Sequence, residues 1–176
     1  MPLLHLSSLA EITAAEWDAL LPDNQPFLRH AFLLALEESG SVRAENGWQP
    51  DHLLWRQDGR LRAALPGYRK RNSWGEYVFD HAWADACQRA GIAYYPKWLG
   101  AIPFSPVTGA RLLGDETVII PMLEALPDAL QRHGLSGAHI NFTTPHANAL
   151  LATQPDWLGR PRGGAYSAQH APPGVF

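Results

Sequence analysis

The chain has 176 residues and a mass of 19.4 kDa, the size of one domain, and its 46% hydrophobic residues suffice for a packed core. A formal charge of −3 and a single cysteine exclude a strongly basic nucleic-acid binder, a disulfide framework and a cysteine zinc site. No apolar run approaches the ~18 residues of a membrane span, and no secretory leader is recognisable. These features predict a soluble, cytoplasmic protein.

Two helices are predicted in the first part of the chain. Thr13 and Glu16 form a capping box, in which the Thr13 hydroxyl accepts from the Glu16 amide, and Pro22 ends this helix. A second helix follows, because apolar residues recur at helical spacing up to Gly40. Its apolar face comprises Leu28, Ala31, Phe32, Ala35 and Leu36.

A β-hairpin is predicted next. The segments His52–Gln57 and Arg60–Leu65 flank Asp58 and Gly59, a pair that readily adopts the two positive φ values of a type I′ turn. Alternation places Leu54, Arg56, Leu61, Ala63 and Leu65 on one face, and Trp55, Gln57, Arg60 and Arg62 on the wetter one. Because Pro66 cannot donate to a strand ladder, pairing should stop or bulge there, and a basic, aromatic loop over residues 68–72 should follow.

The second half of the chain alternates helices and strands. Asp80 can cap a third helix that ends at Gly91, and residues 94–101 predict a strand with an irregular start. A fourth helix over residues 116–133 should kink or split at Pro127. A strand over residues 138–142 and a short helix that begins at Thr144-Pro145 complete the pattern.

This order of elements predicts a mixed α/β fold, with a mostly antiparallel sheet flanked by helices. Residues 159–176 contain no acidic residue, and Val175 is their only branched aliphatic side chain. Since such a segment cannot bury an apolar face, we expect one domain over residues 1–158 and a disordered or loosely draped tail over residues 159–176.

Metal and nucleophile sites are not predicted. The eight histidines include no pair at the i, i+4 spacing of a helical zinc site. Asp80, His81 and Asp85 lie close in sequence, but a helix cap followed by an exposed histidine accounts for them better than a metal site does. Cys87 lies in an apolar stripe, which is typical of a small buried thiol, and no Gly-x-Ser-x-Gly elbow or Gly-rich phosphate loop is present.

Six of the fourteen basic residues lie between Arg56 and Arg71, with Trp55, Tyr68 and Trp74 nearby. Cations interleaved with aromatic rings suit a phosphorylated ligand or the end of an RNA. An ordinary solvated sheet face, with long side chains that cover Trp55, is the alternative.

Three carboxylates, Glu76, Asp80 and Asp85, lie within ten residues. The aromatic residues among them are Trp74, Tyr77, Phe79 and Trp83. A carboxylate against aromatic walls has a raised pKa, which suits a general base. With Asp80 assigned to the helix cap, Glu76 is the best candidate for this role.

Several segments rich in aromatic residues and prolines occur in a fixed order along the chain. They are Ser73-Trp74-Gly75-Glu76-Tyr77-Val78-Phe79-Asp80, Trp83-Ala84-Asp85-Ala86, Tyr94-Tyr95-Pro96-Lys97, Pro103-Phe104-Ser105-Pro106-Val107-Thr108-Gly109 and, upstream, Pro26-Phe27-Leu28, Ala35-Leu36-Glu37-Glu38-Ser39-Gly40 and Gly47-Trp48. Through these segments the sequence resembles the FemAB-like "peptidoglycan biosynthesis/recognition" family, in the GNAT superfamily of N-acetyltransferases. The resemblance covers roughly residues 20–150.

The resemblance implies a GNAT-like fold and transfer of an acyl or aminoacyl group to an amine acceptor, such as a cell-wall precursor. It implies acyl-CoA or aminoacyl-tRNA as co-substrate, with no tightly bound cofactor, and Glu76 and Asp85 as catalytic candidates. The candidates for substrate binding are Tyr77, Trp83, Tyr94, Lys97, Arg69 and Lys70. The loop with which the superfamily binds the pyrophosphate of coenzyme A is not found, so the residues that would bind a cofactor are unknown.

FemAB proteins pair two GNAT-like halves, and this chain resembles the first, as the product of a truncated or frameshifted gene would. A non-catalytic module that binds an anionic or peptidoglycan-type ligand is the alternative function. We also expect self-association, most simply as a two-fold dimer, through the surface that a second half would cover.

Overall fold

A computed structural model describes residues 3–22, 25–78, 80–155, 157–162 and 165–170, with the backbone alone for residues 158–162 and 165–170. The helices are α1 (Ala14–Asp18), α2 (His30–Glu38), α3 (His81–Arg89), α4 (Glu116–Arg132) and α5 (Pro145–Ala152). The strands are β1 (Leu4–Leu6), β2 (Gln49–Pro50), β3 (His52–Gln57), β4 (Arg60–Leu65), β5 (Gly67–Lys70), β6 (Lys97–Gly100), β7 (Leu113–Gly114), β8 (Ala138–Thr143), β9 (Trp157–Arg162) and β10 (Ala165–His170). The expected mixed α/β fold, mostly antiparallel and flanked by helices, is confirmed.

The described strands form two sheets. The first has the order β1-β3-β4-β7 and is antiparallel, and the second has the order β2-β5-β6-β8-β10-β9, in which β6 and β8 are parallel. The chain passes from β4 in the first sheet to β5 in the second at Pro66, which has no N–H to donate. The predicted break at Pro66 is therefore confirmed, but the predicted loop after it is wrong at its start, because residues 67–70 form β5 between β2 and β6.

The predicted hairpin is confirmed together with its turn. Asp58 and Gly59 have φ values of 51° and 75°, and Gln57 pairs with Arg60. The left-handed conformation at both central positions is the one that a type I′ turn requires.

The predicted division of the hairpin side chains between two faces is wrong. The register shifts between Trp55 and Arg56, and a bulge of this kind changes which side chains share a face. Leu54 packs in one core with residues of α1 and α2, whereas Ala63 and Leu65 pack in another core with residues of α4. Helices therefore cover both faces of this hairpin.

The helices begin and end largely where local signals place them. Thr13 accepts from the Glu16 amide at 3.2 Å, and Thr144 accepts from the Ala147 amide at 3.1 Å. The predicted split at Pro127 is wrong, because α4 continues through this proline with a buried apolar face along its length. Within the described ranges, no helix has the length and hydropathy to cross a membrane.

A second hairpin lies where the sequence predicts a tail without secondary structure. Strands β9 and β10 pair with each other, and β10 inserts between β9 and β8. Backbone hydrogen bonds make such a ladder without branched apolar side chains, which is why composition does not reveal it. Residues 163–164 and 171–176 of the expected tail lie outside the described residues.

Candidate functional site

The chain contains two lysines, and both lie in one buried site. Lys70 ends β5 and Lys97 begins β6, and the two residues are directly opposite each other in the ladder. Neither side chain is exposed. Because like charges opposite each other in a sheet repel, this pair requires anions nearby. The segment that connects β5 to α3 supplies them.

The ammonium group of Lys97 donates three hydrogen bonds. Its Nζ atom donates to Glu76 Oε2 at 2.9 Å, to Asp80 Oδ2 at 2.7 Å and to Ser73 Oγ at 3.1 Å. An ammonium group has three protons, so these three bonds use its full donor capacity. We call Lys70, Glu76, Asp80 and Lys97 the ionic cluster.

Lys70 is held more loosely. Its Nζ atom donates to the Trp74 carbonyl at 3.1 Å, lies 4.0 Å from Glu76 Oε1 and lies 3.6 Å from the centre of the Trp48 ring. A cation over an indole face is stabilised by the ring quadrupole. Burial lowers the pKa of Lys70 to about 7, although Glu76 acts in the opposite direction.

The two carboxylates of the ionic cluster differ in their proton affinity. Burial raises the pKa of Glu76, and Lys97 only partly offsets this effect. Burial also acts to raise the pKa of Asp80, but Lys97 and the hydroxyl donors Tyr94 and Ser73 hold it at about 2. Glu76 is therefore the carboxylate that can hold a proton nearer to neutral pH, whereas Asp80 stays ionised.

Asp80 does not act as the predicted helix cap. It occupies the N-cap position of α3, but its side chain makes no capping hydrogen bond. Its Oδ2 atom instead accepts from Lys97, from the Ser73 hydroxyl at 2.8 Å and from the Tyr94 hydroxyl at 2.7 Å. A buried ammonium is a stronger partner for a carboxylate than an exposed backbone amide, so the long-range pair replaces the local one.

A cleft of about 450 Å³ lies next to the ionic cluster. Its lining includes Ser73, Trp74, His81, Asp85, Tyr94 and Tyr95. The Tyr95 hydroxyl lies 2.6 Å from Ser73 Oγ, and Ser73 in turn contacts both Lys97 and Asp80. A continuous chain of hydrogen bonds thus joins a cleft residue to the buried charges.

The structure brings together four of the residues predicted from the sequence. Glu76, Lys70, Lys97 and Tyr94 all contact or belong to the ionic cluster, whereas Asp85 lies apart from them in the cleft lining.

Three predicted site residues lie elsewhere. Tyr77 is 56% exposed and Trp83 is 36% exposed, and neither lines the cleft. The Arg69 side chain lies 3.8 Å from Asp51, away from the ionic cluster. This separation follows from strand alternation, because Arg69 and its neighbour Lys70 point to opposite faces of β5.

Sequence reasoning missed Ser73, Tyr95 and Trp48 as members of the site. Ser73 and Tyr95 lie in two of the segments that carry the family resemblance, which is the signal that could have selected them. Their hydrogen bond joins residues that are 22 positions apart, and no local pattern encodes such a contact.

A larger cavity, of about 690 Å³, lies where α4 and α5 begin. Asp115 and Glu116 place two carboxylates at the start of α4, and the nearby Arg62 is 3.8 Å from Asp115. This cavity therefore lacks the excess of positive charge that a pyrophosphate group requires. No group of three or more side chains placed to hold a metal ion occurs in the described part of the chain.

These features define a mixed α/β domain in which the antiparallel strands β5 and β6 carry a buried lysine–carboxylate cluster beside an aromatic cleft. The chain belongs to the FemAB-like family, described as peptidoglycan biosynthesis/recognition, whose model matches residues 8–163. No curated protein matches the chain.

Two solved structures are similar at low identity. One is an acetyltransferase, with 14% identity, a TM-score of 0.39 and coverage of 96% of this chain and 98% of that one. The other is an agmatine N-acetyltransferase in its apo form, with 13% identity, a TM-score of 0.41 and coverage of 89% and 85%.

Proposed function

We propose that the chain is an acyltransferase-type half-domain that transfers an acyl or aminoacyl group to an amine acceptor held in the cleft. Membership of the FemAB-like family supports this class of reaction, and the family description favours a cell-wall precursor as acceptor. The observation that carries the proposal is the hydrogen-bonded chain from Tyr95 through Ser73 to the ionic cluster, because an amine that attacks a carbonyl must lose a proton.

The chemistry of the step assigns a role to each group. The amine nitrogen bonds to the acyl carbon, and the bond from that carbon to the sulfur or oxygen of the donor breaks, with its electron pair on the leaving atom. The proton of the amine passes through Tyr95 and Ser73 to Asp80. Lys97, which donates to both carboxylates, relays a proton from Asp80 to Glu76. Glu76 receives it, since its pKa is raised, whereas the pKa of Asp80 is too low for a base.

The acyl donor, acyl-CoA or aminoacyl-tRNA, is bound largely outside this chain. The acidic residues Asp115 and Glu116 repel phosphate groups at the cavity where α4 begins. A second GNAT-like half, or a separate partner, supplies the cations for the donor. This chain supplies the acceptor cleft and the base.

The test is transfer of a labelled acyl group from acetyl-CoA or from aminoacyl-tRNA to a peptidoglycan precursor, with the chain alone and with a second half supplied. Glu76→Gln should lower the transfer rate on the order of 100-fold or more, because it removes a general base. Glu45→Gln, a change at an exposed glutamate, is the matched control and should leave the rate unchanged. Absence of transfer from both donors in both settings would refute the enzymatic function.

A non-catalytic binding module is the second candidate. The observation that favours it is the acidic start of α4, which disfavours a phosphate-bearing donor in the cavity at that helix. Calorimetry with the precursor, with coenzyme A and with short RNAs separates the two candidates. Binding of the precursor without transfer, even with a second half present, would support the module.

A further inference from the structure

The hydrogen bonds around Ser73 are consistent in one direction only. Lys97 can only donate, and the ionised Asp80 can only accept. Ser73 Oγ lies 2.8 Å from Asp80 Oδ2, so the single hydroxyl proton of Ser73 must point to Asp80. Ser73 then accepts from Lys97 and, at 2.6 Å, from the Tyr95 hydroxyl. The proton of Tyr95 is therefore donated to Ser73 and is not offered to a ligand.

The same reasoning determines the direction of the Tyr94 hydroxyl proton. Its hydroxyl lies 2.7 Å from Asp80 Oδ2, and a carboxylate oxygen at that distance must accept. Burial raises the pKa of both tyrosines, so both remain protonated phenols at neutral pH. Each phenol has one proton, and in each case the proton is used on the side of the ionic cluster.

We propose that Tyr94 and Tyr95 determine the specificity of the cleft by presenting phenol oxygens that can only accept hydrogen bonds. The cleft then selects a ligand group with several N–H donors and no acceptor, such as a primary ammonium, and rejects a carboxylate or a phosphate. Ser73 is a positioning residue, because it orients the Tyr95 proton through their hydrogen bond. This inference rests on the proposed function only in taking the cleft as the substrate site.

Two further groups in the cleft lining agree with this polarity. Asp85 also lines the cleft, and its exposed carboxylate accepts hydrogen bonds only. Trp74, which is 74% exposed, offers an aromatic face that attracts cations. His81 is the remaining titratable side chain of the cleft lining and can adopt either polarity when neutral.

The test compares two small probes of similar size and opposite charge, propylammonium chloride and sodium propionate, at equal ionic strength. Binding is followed through the indole signal of Trp74 in proton–nitrogen correlation spectra, assigned with Trp74→Phe. The wild-type chain should respond to propylammonium and not to propionate. Asp85→Asn should weaken propylammonium binding but keep the preference, because the two phenols remain.

Ser73→Ala is the decisive variant, because it leaves the Tyr95 proton without its inner acceptor and free to turn into the cleft. It should bind propylammonium about tenfold more weakly, the effect of one charged hydrogen bond, and should gain a response to propionate. Ser73→Thr keeps the hydroxyl and should restore the original preference. Tyr95→Phe leaves the ionic cluster intact and should lose propylammonium affinity without gaining propionate.

Thermal melting checks that each variant is folded. If Ser73→Ala does not fold, the probe binding of Tyr95→Phe alone tests the inference. Equal binding of the two probes by the wild-type chain, or an unchanged preference in Ser73→Ala, would overturn the inference. Because these measurements need no acyl donor, a failed transfer assay with the probe preference intact would count against the proposed function alone. Transfer without the preference would count against this inference alone.

Discussion

Replacing Lys97 by methionine should destabilise the fold by about 3–5 kcal/mol, because it leaves two buried carboxylates without their cation. Lys97 is fully buried and donates to Glu76, Asp80 and Ser73 at 2.9, 2.7 and 3.1 Å. The loss is a large share of the roughly 5–15 kcal/mol that stabilises a typical domain. At about 2–4 °C per kcal/mol for a chain of this size, the midpoint of thermal unfolding should fall by about 6–20 °C.

Urea unfolding at neutral pH, followed by circular dichroism and tryptophan fluorescence, measures this loss. Arg62→Met is the matched control, because Arg62 forms an exposed pair with Asp115 at 3.8 Å and its loss should change stability by less than about 1 kcal/mol. Adding Asp80→Asn to Lys97→Met should recover part of the stability, since the charges then left buried, those of Glu76 and Lys70, are opposite and lie 4.0 Å apart.

The reasoning would be refuted if Lys97→Met unfolded within about 1 kcal/mol of the wild-type chain, with the same dependence on urea. That result would mean that water reaches Glu76 and Asp80 and screens them. A double variant, Lys97→Met with Asp80→Asn, that is less stable than Lys97→Met alone would likewise show that unpaired charge is not the source of the loss.

Three further outcomes are expected. Gly67→Ala should lower the free energy of unfolding in urea by about 1–3 kcal/mol, because the added Cβ would lie 2.0 Å from Cζ2 of Trp98. A Gly67→Ala variant as stable as the wild-type chain would show that the two strands can separate. Burial holds the pKa of Lys70 at about 7, below its value in the unfolded chain. Above about pH 7 the unfolded chain therefore binds more protons than the folded chain does. The free energy of unfolding should thus rise from about pH 7 to about pH 9, and Lys70→Met should remove this slope; equal slopes would place the effect elsewhere. Light scattering over a concentration series should show self-association that weakens in a Trp74→Ser, Tyr77→Ser double variant, because both rings are exposed; a strict monomer would contradict this expectation.

Local patterns in the sequence predicted the local parts of the fold. The turn at Asp58 and Gly59 and the caps at Thr13 and Thr144 follow from the conformation and hydrogen-bonding capacity of a few neighbouring residues. Such features depend little on the rest of the chain, so the residues themselves suffice to place them.

The sequence could not predict features that depend on distant partners. Asp80 has the local signature of a cap, but Lys97, 17 positions away, takes its carboxylate. Lys70 has the charge of a loop residue and lies in β5, because Glu76 and the Trp48 ring make its burial tolerable. In both cases a tertiary contact outweighs the preference of the single residue.

The candidate base was accessible to sequence reasoning in part. Glu76 could be selected because a carboxylate among aromatic residues has a raised pKa, and burial does raise it. The rings that lie beside the ionic cluster, however, are those of Trp48, Tyr94 and Tyr95, which are distant from Glu76 in sequence. The cation that pairs with Glu76 comes from β6. The sequence therefore suggested the chemical character of the residue but not its surroundings.

The burial of both lysines leaves no side-chain amine on the surface of the folded protein. Thioesters and activated esters acylate exposed lysines without any catalyst, whereas the guanidinium of arginine stays protonated and does not compete as a nucleophile. The chain has twelve arginines and two lysines, so its exposed basic side chains are arginines. Under the proposed function, in which the chain works beside activated acyl groups, this burial protects the protein from modifying itself. Amine-reactive reagents should label its lysines only when the fold opens.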